Sequence, residues 1–182
     1  MVSVAATEFV LVAAAVVIGL VLFGFTQALI IPQYAFTLAE QQARTLASAS
    51  FISVSPPDIG FNGYYSFVVY PYIPGFNGNI TVFMFEEPQA LLPSVAVLTP
   101  QSSYTSFSAS FPNGTSISTV SIGPVYDTNG HELIQSLTGY TLPANYPFVI
   151  NGYIPKGEIL IIWVIYNAGN YYFRIAYTYT AG

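Results

Sequence analysis

From Phe9 to Ile31 the chain runs without a charge, and only Thr26 and Gln27 interrupt it with clearly polar side chains. About 23 residues at 1.5 Å each make roughly 35 Å of helix, enough to cross the hydrocarbon core of a bilayer. Beyond Pro32 the pattern changes from uniformly apolar to one-sided. Phe36, Ala39, Ala43, Leu46 and Ala47 recur at three- and four-residue spacing, while Thr37, Glu40, Gln41, Arg44 and Ser48 take the other side, which is the signature of an amphipathic helix. Glu40 and Arg44 stand four apart in the favourable order. Proline removes one backbone hydrogen bond and crowds the preceding turn, so a kink near Pro32 is expected rather than a break. One continuous helix over residues 1–50 is far longer than a bilayer needs. Its distal half is expected to seat a globular domain on Phe36, Ala39, Ala43 and Leu46.

After Ser50 the period becomes that of strands. The stretches 64–72, 79–87, 94–100, 104–111, 115–122, 158–167 and 170–180 are rich in β-branched and aromatic residues, and they alternate with turn signals such as "PGFNGN", "PNG", "DTNG" and "NAGN". About seven short strands in residues 51–182 predict an antiparallel β-sandwich or barrel, with an immunoglobulin-like sandwich as the specific expectation. The run "ILIIWVI" (159–165) is apolar on both faces and is placed centrally, one side on the sandwich core and the other against the long helix. The last two strands, joined across 167–170, read as a hairpin. The fold class is therefore α+β, with a helix over 1–50 and a β head over 51–182.

Composition sharpens this picture. Only 6% of the residues are charged against 53% hydrophobic, where soluble domains carry about 25% charged residues. With 15 tyrosines and abundant serine, threonine and asparagine, the exposed surface is expected to be neutral and hydroxyl-rich. The three basic residues, Arg44, Lys156 and Arg174, do not cluster, and the formal net charge is −5; nucleic-acid binding, which needs a basic stripe, is excluded. There is no cysteine and one histidine, His131. That removes thiolate chemistry and most zinc and Ser-His sites. No cofactor and no metal are expected, and an enzyme is the weakest reading.

A near-absent leader, one acid just before an apolar helix, an amphipathic continuation and a small all-β head form a recognisable plan. In particular, "TEFVLVAAAVVIGLVLFGFTQA" (7–28) followed by a β-rich head resembles the archaeal type IV pilins and the related archaellins. The resemblance covers about the first 50 residues. It implies a basic leader cut by a prepilin peptidase; none precedes the span here, which fits a sequence numbered from the mature end. It also implies a cytoplasmic assembly ATPase and a polytopic platform protein as partners. The helix would lie in the membrane before assembly and in the core of a homopolymeric filament afterwards. In the bacterial branch a glutamate at the fifth mature position neutralises a neighbour's N-terminal amine. Glu8 would take that role if the mature chain began at Val4, and otherwise reads as a carboxylate at the lipid interface.

Because lipid tails are about as apolar as valine or leucine, a filament core must win over the bilayer by packing. Ala15 and Gly19, then Gly24 and Ala28, are each four apart and would let backbones approach closely, with Phe9 and Phe23 filling the contacts. Such spacings also arise by chance in any alanine-rich span. The leading expectation is a pilin of an archaeal extracellular adhesive pilus. An archaellin of a motility filament is the alternative within that class. From another class comes a membrane-anchored, monomeric cell-surface binding domain, disfavoured by the unbroken helical pattern through Ala47.

Several smaller features remain. Asn79 in "NIT" and Asn113 in "NGT" are N-glycosylation acceptor sequences. "DTNGHE" (127–132) resembles part of a calcium loop, but its glutamate comes too early, and a tight turn around Asn129 and Gly130 accounts for it. His131 then reads as a solvated loop residue. Glu86 and Glu87 are adjacent in a strand and point to opposite faces, which argues against a catalytic carboxylate pair. Trp163 reads as core, with a sugar-stacking platform as the lesser alternative.

Overall fold

The computed structural model describes residues 2–60, 64–101 and 106–181. Helix α1 (Val2–Phe25) passes through one wide π-helical turn, Thr26–Ile30, into α2 (Ile31–Ala49). In that turn the Ile31 amide donates to the Thr26 carbonyl, five residues back. The π turn stands directly before Pro32, where the missing N–H would break the regular ladder, so the helix absorbs the proline by widening one turn. Thr26 caps the preceding turn from its side chain, Oγ1 donating to the Leu22 carbonyl at 2.9 Å.

The chain divides into two compact units, Met1–Leu38 and Ala39–Gly182. The last turns of α2 thus belong to the same unit as the strands. The β region is consistent with the α+β expectation but holds more strands than the sequence suggested. They are β1 (Phe51–Val54), β2 (Asp58–Ile59), β3 (Tyr64–Tyr72), β4 (Asn79–Pro88), β5 (Ser108–Ser110), β6 (Thr119–Ile122), β7 (Val125–Tyr126), β8 (Glu132–Ile134), β9 (Leu137–Pro143), β10 (Phe148–Tyr153), β11 (Glu158–Ala168) and β12 (Tyr171–Ala181).

The smaller sheet has the order β1-β3-β10-β5, with β2 also on β3; the larger has the order β6-β9-β4-β11-β12-β7-β8. Among the described residues the ladders are antiparallel except β7 on β12, which is parallel, so the expectation of a purely antiparallel head is corrected to a mostly antiparallel one. β11 lies between β4 and β12, and its residues Ile159 to Tyr166 are all buried, as its two-sided apolar run demands. One face of it carries Ile159, Ile161, Trp163 and Ile165 into a cluster with Phe83, Phe85, Val95, Ile122, Val125 and Leu137. At the other face Tyr166 reaches the helix end, its hydroxyl donating to Gln42 Oε1 at 3.4 Å.

The expected strand at 94–100 does not form. Gln89–Ser94 is a short 3-10 helix, followed by turns in which the Val95 and Val97 amides donate to Leu92 and Ser94 carbonyls. Pro88, Pro93 and Pro100 deprive the segment of ladder donors, and Val95 is buried in the large-sheet cluster while Val97 is 74% exposed. The expected strand 104–111 shortens to β5, and residues 102–105 lie outside the described residues.

Candidate functional site

The helix α1 has no charged side chain after Glu8, and no part of its most apolar 18-residue stretch is buried. Phe9 is 75% exposed and Phe23 is 63% exposed; Ala15, Gly19, Gly24 and Ala28 are exposed as well. An exposed apolar surface of this extent marks a place where a membrane or another protein is met. The helix is long and apolar enough to cross a membrane. At 1.5 Å per residue the 46 residues from Val4 to Ala49 extend roughly 70 Å, about twice a bilayer core.

The small residues are notches. A Cβ added to Gly19 or Gly24 would meet nothing within 4 Å, so a neighbouring helix can enter there. At about 100° per residue the Ala15–Gly19 notch and the Gly24–Ala28 notch face roughly opposite sides of the helix. The sequence spacing held this relationship, yet each pair read alone suggests a single contact.

The seat of the helix end is now concrete. Ala43 is fully buried and Ala39 is 6% exposed; Leu46 is half-buried, and Phe36 falls in the other unit. Arg44 Nη2 meets Glu40 Oε1 at 2.7 Å, and the guanidinium also donates from Nε and Nη2 to the Thr128 carbonyl at 3.2 and 3.1 Å. Thr128 belongs to the Asp127–His131 turn. There the Asp127 Oδ1 accepts from the Asn129 and His131 amides, both at 2.8 Å, and Oδ2 lies 3.1 Å from His131 Nδ1. Burial opposes ionisation of Asp127, but these donors win and hold its carboxyl below the usual value. The turn is thus spent on its own backbone and on Arg44, with no spare ligand set. Among the described residues no group of three or more histidines and carboxylates could hold a metal ion.

Elsewhere, Trp163 is fully buried and covered by Arg174, whose guanidinium carbon is 4.9 Å from its ring centroid and 5.3 Å from that of Tyr177. No pattern of residues along the chain announces this stack. It depends on a bulge in β12: Val164 pairs with Ala176 and Ile165 with Arg174, which turns Arg174 to the Trp163 face. Glu87 is buried, whereas Glu86 is half-buried and accepts from Ser106 Oγ at 3.2 Å.

Asn79 starts β4 and Asn113 sits on an exposed turn. Comparison with protein-family models, with curated proteins and with solved structures found no match to this chain.

Proposed function

We propose that this chain is the structural subunit of an archaeal type IV-like pilus, an extracellular filament that polymerises through the N-terminal helix and attaches cells to surfaces. The observation that carries the reading is the pair of notches facing opposite sides of one uncovered apolar helix. A closed two-fold dimer uses one patch on each copy, whereas two different patches on opposite sides join copies head-to-tail into an open helical array. An anchor that served a monomer would need neither notch, nor a helix about twice the bilayer's thickness.

Before assembly the helix lies in the cytoplasmic membrane; afterwards its place is the filament core. The β head, with its hydroxyl-rich and nearly uncharged surface, faces outward. We further propose that its two sheets form the layers of an immunoglobulin-like sandwich. Support comes from the alternation of buried Phe67, Val69 and Ile150 with exposed Tyr64, Val68 and Tyr153, and from Tyr140 of the larger sheet, whose hydroxyl donates at 2.7 Å to the Phe107 carbonyl just before β5. The processing peptidase, ATPase and platform protein implied by the resemblance would be its assembly partners.

The test is negative-stain electron microscopy of material sheared from the native cell surface, with the protein identified in it by mass spectrometry. Thin uniform filaments built mainly of this chain are expected. Its confinement to the membrane fraction, with no filament containing it, would leave the helix as an anchor and overturn the reading.

A further inference from the structure

The two acceptor tripeptides look alike in sequence but are presented differently by the fold: both asparagines are exposed, yet only one of the two threonines is. Asn79-Ile80-Thr81 is woven into β4: Asn79 pairs with Pro143, Ile80 with Leu142 and Thr81 with Thr141. Ile80 and Thr81 are 1% and 4% exposed. Asn113-Gly114-Thr115, by contrast, is exposed throughout and forms the tip of a tight turn. Phe111 N donates to Thr115 O and Gly114 N to Phe111 O, both at 2.8 Å. Gly114 supplies the left-handed conformation this tip requires, at φ +83.

The carboxamide of Asn113 is held in a set orientation. Its Oδ1 accepts from the Thr115 amide at 3.0 Å, an Asx turn that anchors the group through oxygen and leaves the nitrogen as its free end. Beside it runs an open groove of about 200 Å³ lined by Phe111, Asn113, Thr115, Pro143 and Tyr146. Phe111 and Tyr146 meet edge to face there, 5.5 Å between centroids. The groove is smaller than the several hundred Å³ of a drug-sized site. It suits one ring whose C–H face can lie on aromatic and proline carbon.

We propose that Asn113 is an N-glycosylation site, that Asn79 is not, and that the groove of Phe111, Pro143 and Tyr146 seats the first sugar. In the transfer, Asn113 Nδ2 attacks the anomeric carbon of an oligosaccharide carried on a lipid phosphate. The C–N bond forms, the anomeric C–O bond breaks, the lipid phosphate leaves with the electron pair, and one Nδ2 proton passes to a base of the transferase. The acceptor needs both its amide and the Thr115 hydroxyl within the enzyme's reach, and the folded turn offers both. On a chain with 6% charged residues, the glycan supplies hydration that side chains do not.

Peptide mass spectrometry of the protein from its native cells, taken from the membrane and from shed filaments, tests this. The peptide containing Asn113 should be heavier by an oligosaccharide and the peptide containing Asn79 bare. Asn113→Gln and Thr115→Ala should remove the added mass, while Thr115→Ser keeps it. Tyr146→Ala should leave the modification in place but let an endoglycosidase release the glycan several-fold faster. A bare Asn113, or a modified Asn79, would overturn the site assignment; an unchanged release rate would overturn the seat. The modification requires the β unit to reach the outer side of the membrane but not to polymerise. Bare filaments would therefore sink this proposal alone, and a glycosylated chain found only in the membrane would sink the filament reading alone.

Discussion

Asn145 holds both backbone groups of Ile73: its Oδ1 accepts from the Ile73 amide at 2.6 Å, and its Nδ2 donates to the Ile73 carbonyl at 3.2 Å. Nδ2 also donates to the Phe76 carbonyl at 2.8 Å. One carboxamide thereby ties the β9–β10 connection to the β3–β4 connection, and each of these connections runs from one sheet to the other. Asn145 sits at φ 60, a conformation asparagine tolerates better than other side chains. Asn145→Ala should cost about 2–4 kcal/mol, from three lost hydrogen bonds and left-handed strain. Asn145→Asp keeps the acceptor for Ile73 N but turns the donor into a charge facing two carbonyls, and should be at least as damaging. Denaturant unfolding of the full chain in detergent checks both.

Trp163 is the only tryptophan and lies under Arg174, so its fluorescence reports on that stack. Arg174 Nη2 donates to the Ala96 carbonyl at 2.8 Å, pinning the 89–98 segment over the large-sheet core. Arg174→Ala should lower stability by about 2–3 kcal/mol through the lost cation–π contact and hydrogen bond. Its emission maximum should move to the red as water reaches the indole. Arg174→Lys keeps the charge without the flat fork and should fall between. An unshifted emission in Arg174→Ala would show that the 89–98 segment covers Trp163 without it.

How far the sequence reveals the fold depends on what each pattern reports. The two-sided apolar run of β11 marks a central strand because nothing else needs both faces apolar. The hairpin that follows it is legible in "NAGN", and Gly169 does take a positive φ, at 73. β9 and β10 are hidden because Gly139 and Gly152 interrupt their runs of β-branched and aromatic residues. The role of these glycines is close approach: a Cβ on Gly139 would lie 2.6 Å from Thr81 Cγ2 and 2.8 Å from the Val82 carbonyl, and one on Gly152 would enter the Phe107 ring. The segment 94–100 fails in the other direction, since alternating valines suggest a strand that its flanking prolines cannot pair. As for the candidate site, the apolar helix and its small residues are visible from composition alone. The opposed facing of the two notches needs only the helical period. The difference between Asn79 and Asn113 is invisible, because an acceptor motif carries no information about which face its threonine occupies.

The carboxyls at the end of β4 predict a stability that falls as the solution becomes less acid. β4 and β11 place Glu86 opposite Leu160, Glu87 opposite Ile159 and Glu158 opposite Pro88, so three acids share one corner. Burial raises the Glu86 carboxyl above its ordinary 4.5; Ser106 draws it back, and a hydrogen bond with Glu158 and that residue's charge raise it further. Burial, and again the charge of Glu158, raise Glu87. A carboxyl raised by folding binds its proton more tightly in the folded state, so its contribution is fully present below 4.5 and is lost as pH rises through the raised value. Asp127 works the other way, but only below its ordinary 3.8, where its contribution fades as acid protonates it. The thermal midpoint should therefore fall as the pH rises above the ordinary carboxyl value of 4.5 and through the raised values of Glu86 and Glu87. Glu86→Gln should flatten that slope and raise the neutral-pH midpoint. A slope unchanged in Glu86→Gln would place the effect elsewhere.

The two notches predict an asymmetric failure of assembly. Gly19→Leu fills one and Gly24→Leu the other; both lie on exposed helix with open space around the added side chain, so neither should disturb the chain's own fold or its insertion into a membrane. Each variant expressed alone should give membrane-inserted protein and no filaments, because a head-to-tail array needs both sides of every helix. Expressed beside the unaltered chain, the variant blocked on the side offered to the next subunit should shorten filaments in proportion to its share, whereas the variant blocked on its joining side should simply be left out. The former can join a growing end and then presents a blocked side to the next. A contact using only one side would behave differently, with one variant polymerising normally and the other failing alone. Length distributions from negative-stain images, taken with membrane fractionation of the same cells, separate these outcomes. Normal filaments from both variants would remove close helix packing from the account and leave the β head to hold the polymer.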